Sequence, residues 1–287
     1  MNFLLSGTAA NTTLRVFAVQ TTQLVQTAKD KHLLSPTATA ALGRSLSGAL
    51  LLAQVLSKRP QDRVTLRIQG DGVLGHIVAE GGRDGSARGY VKNPAADLPP
   101  RISDGKLDVG ALVGKNGDLA VMRLLENSEP YTGSVPLASG EIADDLAVYL
   151  WASEQIPSAV LLGVHLDNTG VTQAGGLLVQ AMPGASETDL ARLEQNITAL
   201  GQLTSAMRQF GLLGTMQKAL EGLDLEMTEN SLALEYKCRC SQERSRASLV
   251  YFSAQEHQEM IDAGGQEVVC HWCGTRYFIS PEEIAQL

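Results

Sequence analysis

The chain has 287 residues, 44% of them hydrophobic, and a formal net charge of -8. That length suits a protein of two or more domains, and the acidic balance argues against a molecule whose main task is gripping nucleic acid, because phosphate contacts need clustered Lys and Arg. No uninterrupted apolar run reaches the roughly 20 residues that span a bilayer, so no membrane partner is expected.

Met1 to Gly7 has no basic start, and its apolar run, Phe3-Leu4-Leu5, is too short for a secretory leader. The expected compartment is therefore the reducing cytoplasm, where structural disulfides do not persist. Leu14 to Val25 has strand character. A helix is predicted from Pro36 to Ser57, with proline in its first turn, Leu42, Leu46, Leu50 and Val55 at helical spacing, and a stop at Lys58-Arg59-Pro60. Its apolar run from Leu46 to Leu56, broken by Ser47 and Gln54, reads as core. Val64 to Ile68 alternates, runs into Gly70-Asp71-Gly72 and resumes over Val73 to Ala79, which predicts a hairpin. Turn residues dominate Gly81 to Pro100. A second helix, Ile142 to Glu154, places Ile142, Leu146, Tyr149 and Leu150 on one buried face.

Two glycine patterns imitate nucleotide sites. Gly70, Gly72 and Gly75 satisfy G-x-G-x-x-G, but a dinucleotide site needs a helix next, and Val73 onward alternates like a strand. Gly110 to Lys115 has one residue too few between its glycines for a P-loop, and Asn116 stands where Ser or Thr is required. Neither predicts an ATP site. Residues 1–183 are expected to form one α+β domain of sheets and helices.

Pro183-Gly184 closes that domain. Ser186 with Asp189 three residues later is a capping signal, and Leu190, Leu193, Ile197, Leu200, Leu203, Met207 and Phe210 follow at intervals of three and four. This predicts one amphipathic helix ended by Gly211 and Gly214, with Met216, Leu220 and Leu223 on a shorter continuation. Gly201 inside it costs about 1 kcal/mol against alanine, so segment 184–232 is read as a helical linker of conditional stability. Five of the seven methionines (Met182, Met207, Met216, Met227, Met260) lie between the end of the first domain and the last cysteines. Methionine-rich surfaces repack around varied apolar partners.

All four cysteines fall in the last fifty residues, as Cys238-Arg239-Cys240 and Cys270-His271-Trp272-Cys273. Two tight pairs with 29 residues between them are the pattern of a structural zinc site with four thiolate ligands. One Zn2+ per chain is expected, in a small C-terminal domain over residues 233–287. The first pair is tighter than the usual two to four intervening residues. A Cys238-Cys240 disulfide is geometrically accessible but strained, and Cys270-Cys273 less so. Cys-x-x-Cys is also the spacing of reversible dithiol switches, so a permanent knuckle and a redox switch both remain open at this level. Gly274 replaces the histidine that c-type haem attachment needs. Gly274 to Ser280 reads as a turn and strand leading to a terminal helix, Pro281 to Leu287. Lys237, Arg239, Arg244 and Arg246 form a basic loop beside the first pair. His271 is expected outside the ligand set.

The whole chain resembles the thirty-three-kilodalton heat-shock protein family of redox-regulated holdase chaperones. The most specific element is Cys-x-Cys with Cys-x-x-Cys. It is supported by Tyr90-Val91-Lys92-Asn93-Pro94, Tyr131-Thr132-Gly133, Gly140 to Asp145 with Tyr149 and Ser153-Glu154-Gln155, and Ala174-Gly175-Gly176 leading to Met182-Pro183-Gly184. Lys92 departs from the acidic residue expected before that Asn-Pro. The resemblance implies a cytoplasmic, ATP-independent chaperone, not an enzyme, that is inactive with zinc bound. Oxidation would activate it by pairing Cys238 with Cys240 and Cys270 with Cys273 and releasing zinc. It further implies unfolded proteins as clients and a homodimer when oxidised. The Leu190-to-Phe210 stripe is the candidate client surface, and the less strained Cys270-Cys273 pair is expected to oxidise first. A zinc-ribbon regulator that binds nucleic acid is the rival reading, carried by the basic loop. A zinc hydrolase is disfavoured because four thiolates close the metal to substrate.

Overall fold

In the computed structural model, which describes residues 1–287, the elements of the first part of the chain run β1 (Phe3–Ala9), β2 (Leu14–Gln20), α1 (Thr22–His32), α2 (Pro36–Leu56), β3 (Arg63–Gln69), β4 (His76–Gly82), β5 (Ser86–Val91) and α3 (Val109–Val113). They continue as β6 (Asp118–Leu124), β7 (Tyr131–Pro136), α4 (Ala143–Ala152), β8 (Ser158–Asp167), β9 (Gly170–Ala181), α5 (Glu187–Leu200) and α6 (Leu203–Ala219). Three two-residue strands follow: β10 (Glu226–Met227), β11 (Leu232–Ala233) and β12 (Glu235–Tyr236). The class is α+β. Chain contacts divide the molecule into two compact units, Met1–Tyr236 and Lys237–Leu287.

Within the first unit, one sheet has the order β10-β1-β2-β9-β8, with β11 also on β1, and the other β12-β5-β4-β3-β6-β7. Every pairing is antiparallel except β12 with β5. Helix α2 touches β2, β8 and β9 of one sheet and β3, β4 and β5 of the other, so it forms the middle layer. A helix enclosed on all sides must be apolar or small all round. Its buried residues accordingly run from Thr37 to Gln54 with only Arg44 interrupting. By length and hydropathy it could cross a membrane, but 83% of its most apolar window is buried inside this unit. Ser35 caps its start by accepting the Ala38 amide at 3.1 Å.

Several expectations change here. The strand read over Leu14 to Val25 ends at Gln20, and Thr22–His32 is helical. Leu24, Val25 and Ala28 make its buried face, and threonines at both ends of that stretch disguise the helical period. The β3-β4 hairpin forms in the register Ile68↔Ile77, with a longer loop than predicted because β4 starts at His76. The two glycine decoys meet in that loop. The Gly72 amide donates to Val113 O at 2.9 Å, and a side chain on Gly72 would strike the Leu112–Gly114 backbone. Asp71 accepts Asn116 Nδ2 at 2.6 Å. These glycines permit close backbone contact and cradle no phosphate.

The helix expected to run unbroken past Ser186 is two helices. Ser186 does cap the first, accepting the Asp189 amide at 3.1 Å. Gly201 has φ 66° and ψ -123°, a conformation open to glycine, and it separates α5 from α6. Gly211, at φ 69° and ψ 178°, interrupts α6 again, and helical structure resumes to Ala219. Leu193, Leu203 and Met207 are buried, while Leu190, Ile197 and Leu200 are partly buried. These six pack with Leu14, Val16, Ala18, Leu177 and Val179 on the outer face of the first sheet. Gly175 leaves the space that the Met207 methyl occupies. Phe210, beside the Gly211 break, is 42% exposed.

The second unit contains α7 (Gln242–Ala247), a 3-10 turn (Ser248–Tyr251), α8 (Ala254–Asp262), β13 (Gln266–Val269), β14 (Arg276–Ile279) and α9 (Pro281–Ile284). It starts at Lys237, four residues beyond the expected 233, because the intervening residues form strands on the first unit's sheets. Its apolar core is Leu249, Ile279 and Ile284, with Met260, Ile261 and Val268 partly buried against them.

Candidate metal centre

β13 and β14 pair antiparallel with Val269 opposite Arg276, so Cys270 to Thr275 form the loop of a hairpin. The loop is closed by Cys270 N to Thr275 O at 2.9 Å and Gly274 N to Cys270 O at 2.8 Å. Those bonds turn the chain so that Cys270 and Cys273 face one point. Cys238 and Cys240 reach the same point from the start of the lobe, just before Ser241 caps α7 by accepting the Arg244 amide. All four sulfurs lie within 4.8 Å of one another, and the closest approaches are between pairs: Cys238 to Cys270 at 3.8 Å and Cys240 to Cys273 at 3.4 Å. All four are free thiols.

These distances test the fit of a metal. A tetrahedron of sulfurs bound at about 2.3 Å has edges of about 3.8 Å. The sulfurs interleave near that spacing, so the donor set suits one tetrahedral, thiophilic cation such as Zn2+. The assembled group is four cysteines; His271 is exposed and outside it.

Protons on the sulfurs reveal how crowded the site is. Burial pushes the Cys270 thiol up to about 12, with the neighbouring Cys238 adding to the rise. Burial also raises Cys240. It works the same way on Cys273, but there hydrogen bonds from the Thr275 hydroxyl and amide bring the thiol down to about 7. Cys273 Sγ and Thr275 Oγ1 are 3.2 Å apart. The Tyr277 hydroxyl donates to Cys240 Sγ at 3.0 Å, and that bond is the main reason its own pKa rises to about 12. Thr275 and Tyr277 escaped the sequence reading. The alternation of Arg276, Tyr277, Phe278 and Ile279 was the available signal, since it points Tyr277 inward with Ile279.

The basic loop is partly occupied by its own lobe. Arg244 donates to the Arg239 carbonyl at 2.7 Å, and Arg246 to Gln286 Oε1 at 3.4 Å. Motifs outside the lobe are hydrogen-bonded and ion-paired within the first unit. Asp145 accepts the amides of Ala138, Ser139, Gly140 and Ile142. Glu141 pairs with Arg44 and Arg101, and the Tyr149 hydroxyl donates to Glu154 at 2.6 Å.

Comparison with known proteins supplies the context for this geometry. The family described as Hsp33 protein matches residues 2–280. A 33 kDa chaperonin of Deinococcus radiodurans is 57% identical, with 99% of this chain and 97% of that protein aligned. One from Thermus thermophilus is 52% identical over all of this chain and 86% of its own length. The crystal structure of the 33 kDa chaperonin from Thermotoga maritima superposes with a TM-score of 0.93 at 35% identity, covering 99% of this chain and 97% of that one.

Proposed function

Because this chain belongs to the Hsp33 protein family, we propose that it is an ATP-independent holdase chaperone of the cytoplasm, switched on by oxidation of a four-cysteine zinc centre. The observation that carries this reading is the convergence of four sulfurs within 4.8 Å in a lobe that has only three buried apolar residues in its core cluster. A lobe of roughly fifty residues is below the size at which an apolar core alone suffices, so its fold leans on the metal. Bound zinc supplies a charge that holds four thiolates together and suppresses their protonation.

Cys238, Cys240, Cys270 and Cys273 are the ligands in the reduced state. Oxidation joins Cys238 to Cys240 and Cys270 to Cys273, which removes the ligands and with them the folding energy of the lobe. The chain just before the lobe is tied down by β10, β11 and β12, each only two residues long. Short edge strands carry few hydrogen bonds and fray readily. Fraying through them reaches α6 and α5, whose inner residues Leu190, Leu193, Ile197, Leu200, Leu203 and Met207 cover the sheet's outer face. Lifting these helices bares both surfaces to unfolded clients, with Phe210 at the rim. The active form is a homodimer. Order-to-disorder switching of this type is a known way to gate a binding surface.

The test follows zinc release and suppression of aggregation of a chemically unfolded client in one sample, before and after mild peroxide with gentle warming. Thiol reduction in the presence of zinc comes last. The expected result is joint appearance of free zinc and holdase activity, both reversed by reduction. Zinc retained through oxidation, or zinc lost while aggregation runs unchecked, refutes the switch.

A further inference from the structure

The Tyr277 hydroxyl joins the hairpin that carries one cysteine pair to a sulfur of the other. The two-residue period of β14 sends Arg276 and Phe278 to solvent and turns Tyr277 and Ile279 inward. Ile279 is fully buried in the lobe's core, and Val268 sits opposite Tyr277 across the hairpin. With its ring held there, the Tyr277 hydroxyl lies 3.0 Å from Cys240 Sγ, across 37 positions of sequence. The contact Cys273 makes with Thr275 is, by contrast, local to the hairpin loop.

We propose that Tyr277 is a positioning residue for the redox centre: its hydroxyl donates a hydrogen bond to the Cys240 sulfur, ties the Cys238–Cys240 arm to the hairpin, and restrains Cys240 from attacking peroxide. The inference rests on the metal-switch reading above. A metal-bound thiolate carries no proton, so a phenol at this distance acts as donor, and donors to ligand sulfurs tune their reactivity. Oxidation begins when a thiolate lone pair attacks one peroxide oxygen. The O–O bond breaks, leaving a sulfenic acid on that sulfur and releasing hydroxide. A second thiolate then displaces hydroxide from the sulfenic sulfur to form the disulfide. Two thiolates lose two electrons, and one peroxide becomes two hydroxides. A hydrogen bond donated to the Cys240 sulfur draws electron density from it and lowers its nucleophilicity. The hydrogen bond therefore slows the first attack at Cys240.

The experiment compares wild type with Tyr277→Phe in the full-length, metal-loaded chain, reading the alkylation and peroxide-oxidation rate of each cysteine by mass spectrometry. The charge-transfer spectrum of the Co2+-substituted proteins is recorded beside it. In Tyr277→Phe the Cys240 rate is expected to rise by about two- to tenfold, the factor worth one ordinary hydrogen bond. Cys270 and Cys273 should stay at wild-type rates, and the Co2+ band should shift. Ile279→Val, on the same face of β14, controls for simple loosening and is expected to move all cysteines alike. Equal acceleration of all four cysteines in Tyr277→Phe overturns the proposal, as does an unchanged Cys240 rate with an unchanged Co2+ spectrum. A wild-type chain that binds no metal refutes the switch reading and this proposal with it, whereas an unchanged Cys240 rate in the metal-loaded pair refutes the proposal alone.

Discussion

The two units of this chain are stabilised by different physics. In the first, a helix buried on every side is clasped by two sheets, and one continuous apolar cluster runs from Leu4 to Leu234. In the second, Leu249, Ile279 and Ile284 are the buried apolar cluster, and α8 has no buried residue at all. A unit with a large core and no cysteine has no thiol on which its fold depends. A unit with so small a core leans on whatever its four cysteines can bind. The comparison teaches that the two units are separated by their source of stability as well as by sequence.

The most severe way to break the comparison is to remove the metal. Apparent zinc binding in small domains is worth about 10–16 kcal/mol, as much as the whole stability of an ordinary domain. Chelation, or Cys270→Ser, is expected to abolish amide protection throughout Lys237–Leu287 while β2, β9 and α2 keep theirs. Hydrogen exchange read by mass spectrometry checks this; protection persisting in the lobe would mean its small core suffices. Acid probes the same bond more gently. Burial keeps Cys240 and Cys270 protonated at neutral pH in the metal-free lobe. Each must lose a proton on metal binding, so affinity falls as pH falls, by at least about 100-fold per unit for the two together. Competition with a chromophoric chelator between pH 6 and 8 measures the slope, and a flat profile would show the thiols already ionised.

Within the first unit the expected effects are those of packing. Leu50 is fully buried in α2, and Leu50→Ala should cost about 2–5 kcal/mol. The metal affinity of the lobe should be unaffected. Denaturant unfolding monitored beside zinc content separates the two, and coupled loss would show that the units share their stability. Gly201→Ala is smaller. Its backbone conformation is one that side chains avoid, so alanine there costs about 1–3 kcal/mol or forces α5 and α6 into one helix. Either outcome lifts part of the stripe from the sheet, and holdase activity in the reduced protein is the expected readout. A variant as silent as wild type would argue that undocking needs more than this hinge.

Much of this was legible in the residues. The cysteine pairs, the Ser186 cap and the apolar periods of α2 and α4 are local signals that the structure uses as read, while the Ser35 cap of α2 was seen only in the structure. The misses were of two kinds. Thr21, Thr22 and Val25 carry strand propensity, yet Leu24, Val25 and Ala28 are held against the core in a helix. There, tertiary packing overrode local preference. Strands β8 and β9 form a hairpin across a tight turn and were simply not read, whereas β9's second partner β2 and the partners of the short strands between 226 and 236 are distant in sequence. Tyr277 belongs with these. Its importance comes from Cys240, 37 residues away, and no window of sequence shows that pairing.

Acid sensitivity offers the finest separation of the two units, because the first has its own titrating group. His76 opens β4 and meets the Tyr90 ring edge-on, with centroids 5.9 Å apart. Burial, then the charges of Arg67 and Lys92, hold its pKa below the ordinary 6.5. The unfolded chain therefore binds a proton at a pH where the folded unit still refuses it. Stability from this source is complete above about pH 6.5 and is lost as pH falls from there through the folded pKa, with a slope of at most about 1.4 kcal/mol per unit. His76→Gln should flatten that part of the stability profile of the first unit and leave metal release from the lobe on its original curve. If the substitution shifts both profiles together, the two units do not titrate as independent bodies. If it shifts neither, the proton excluded at His76 is taken up elsewhere in the sheet.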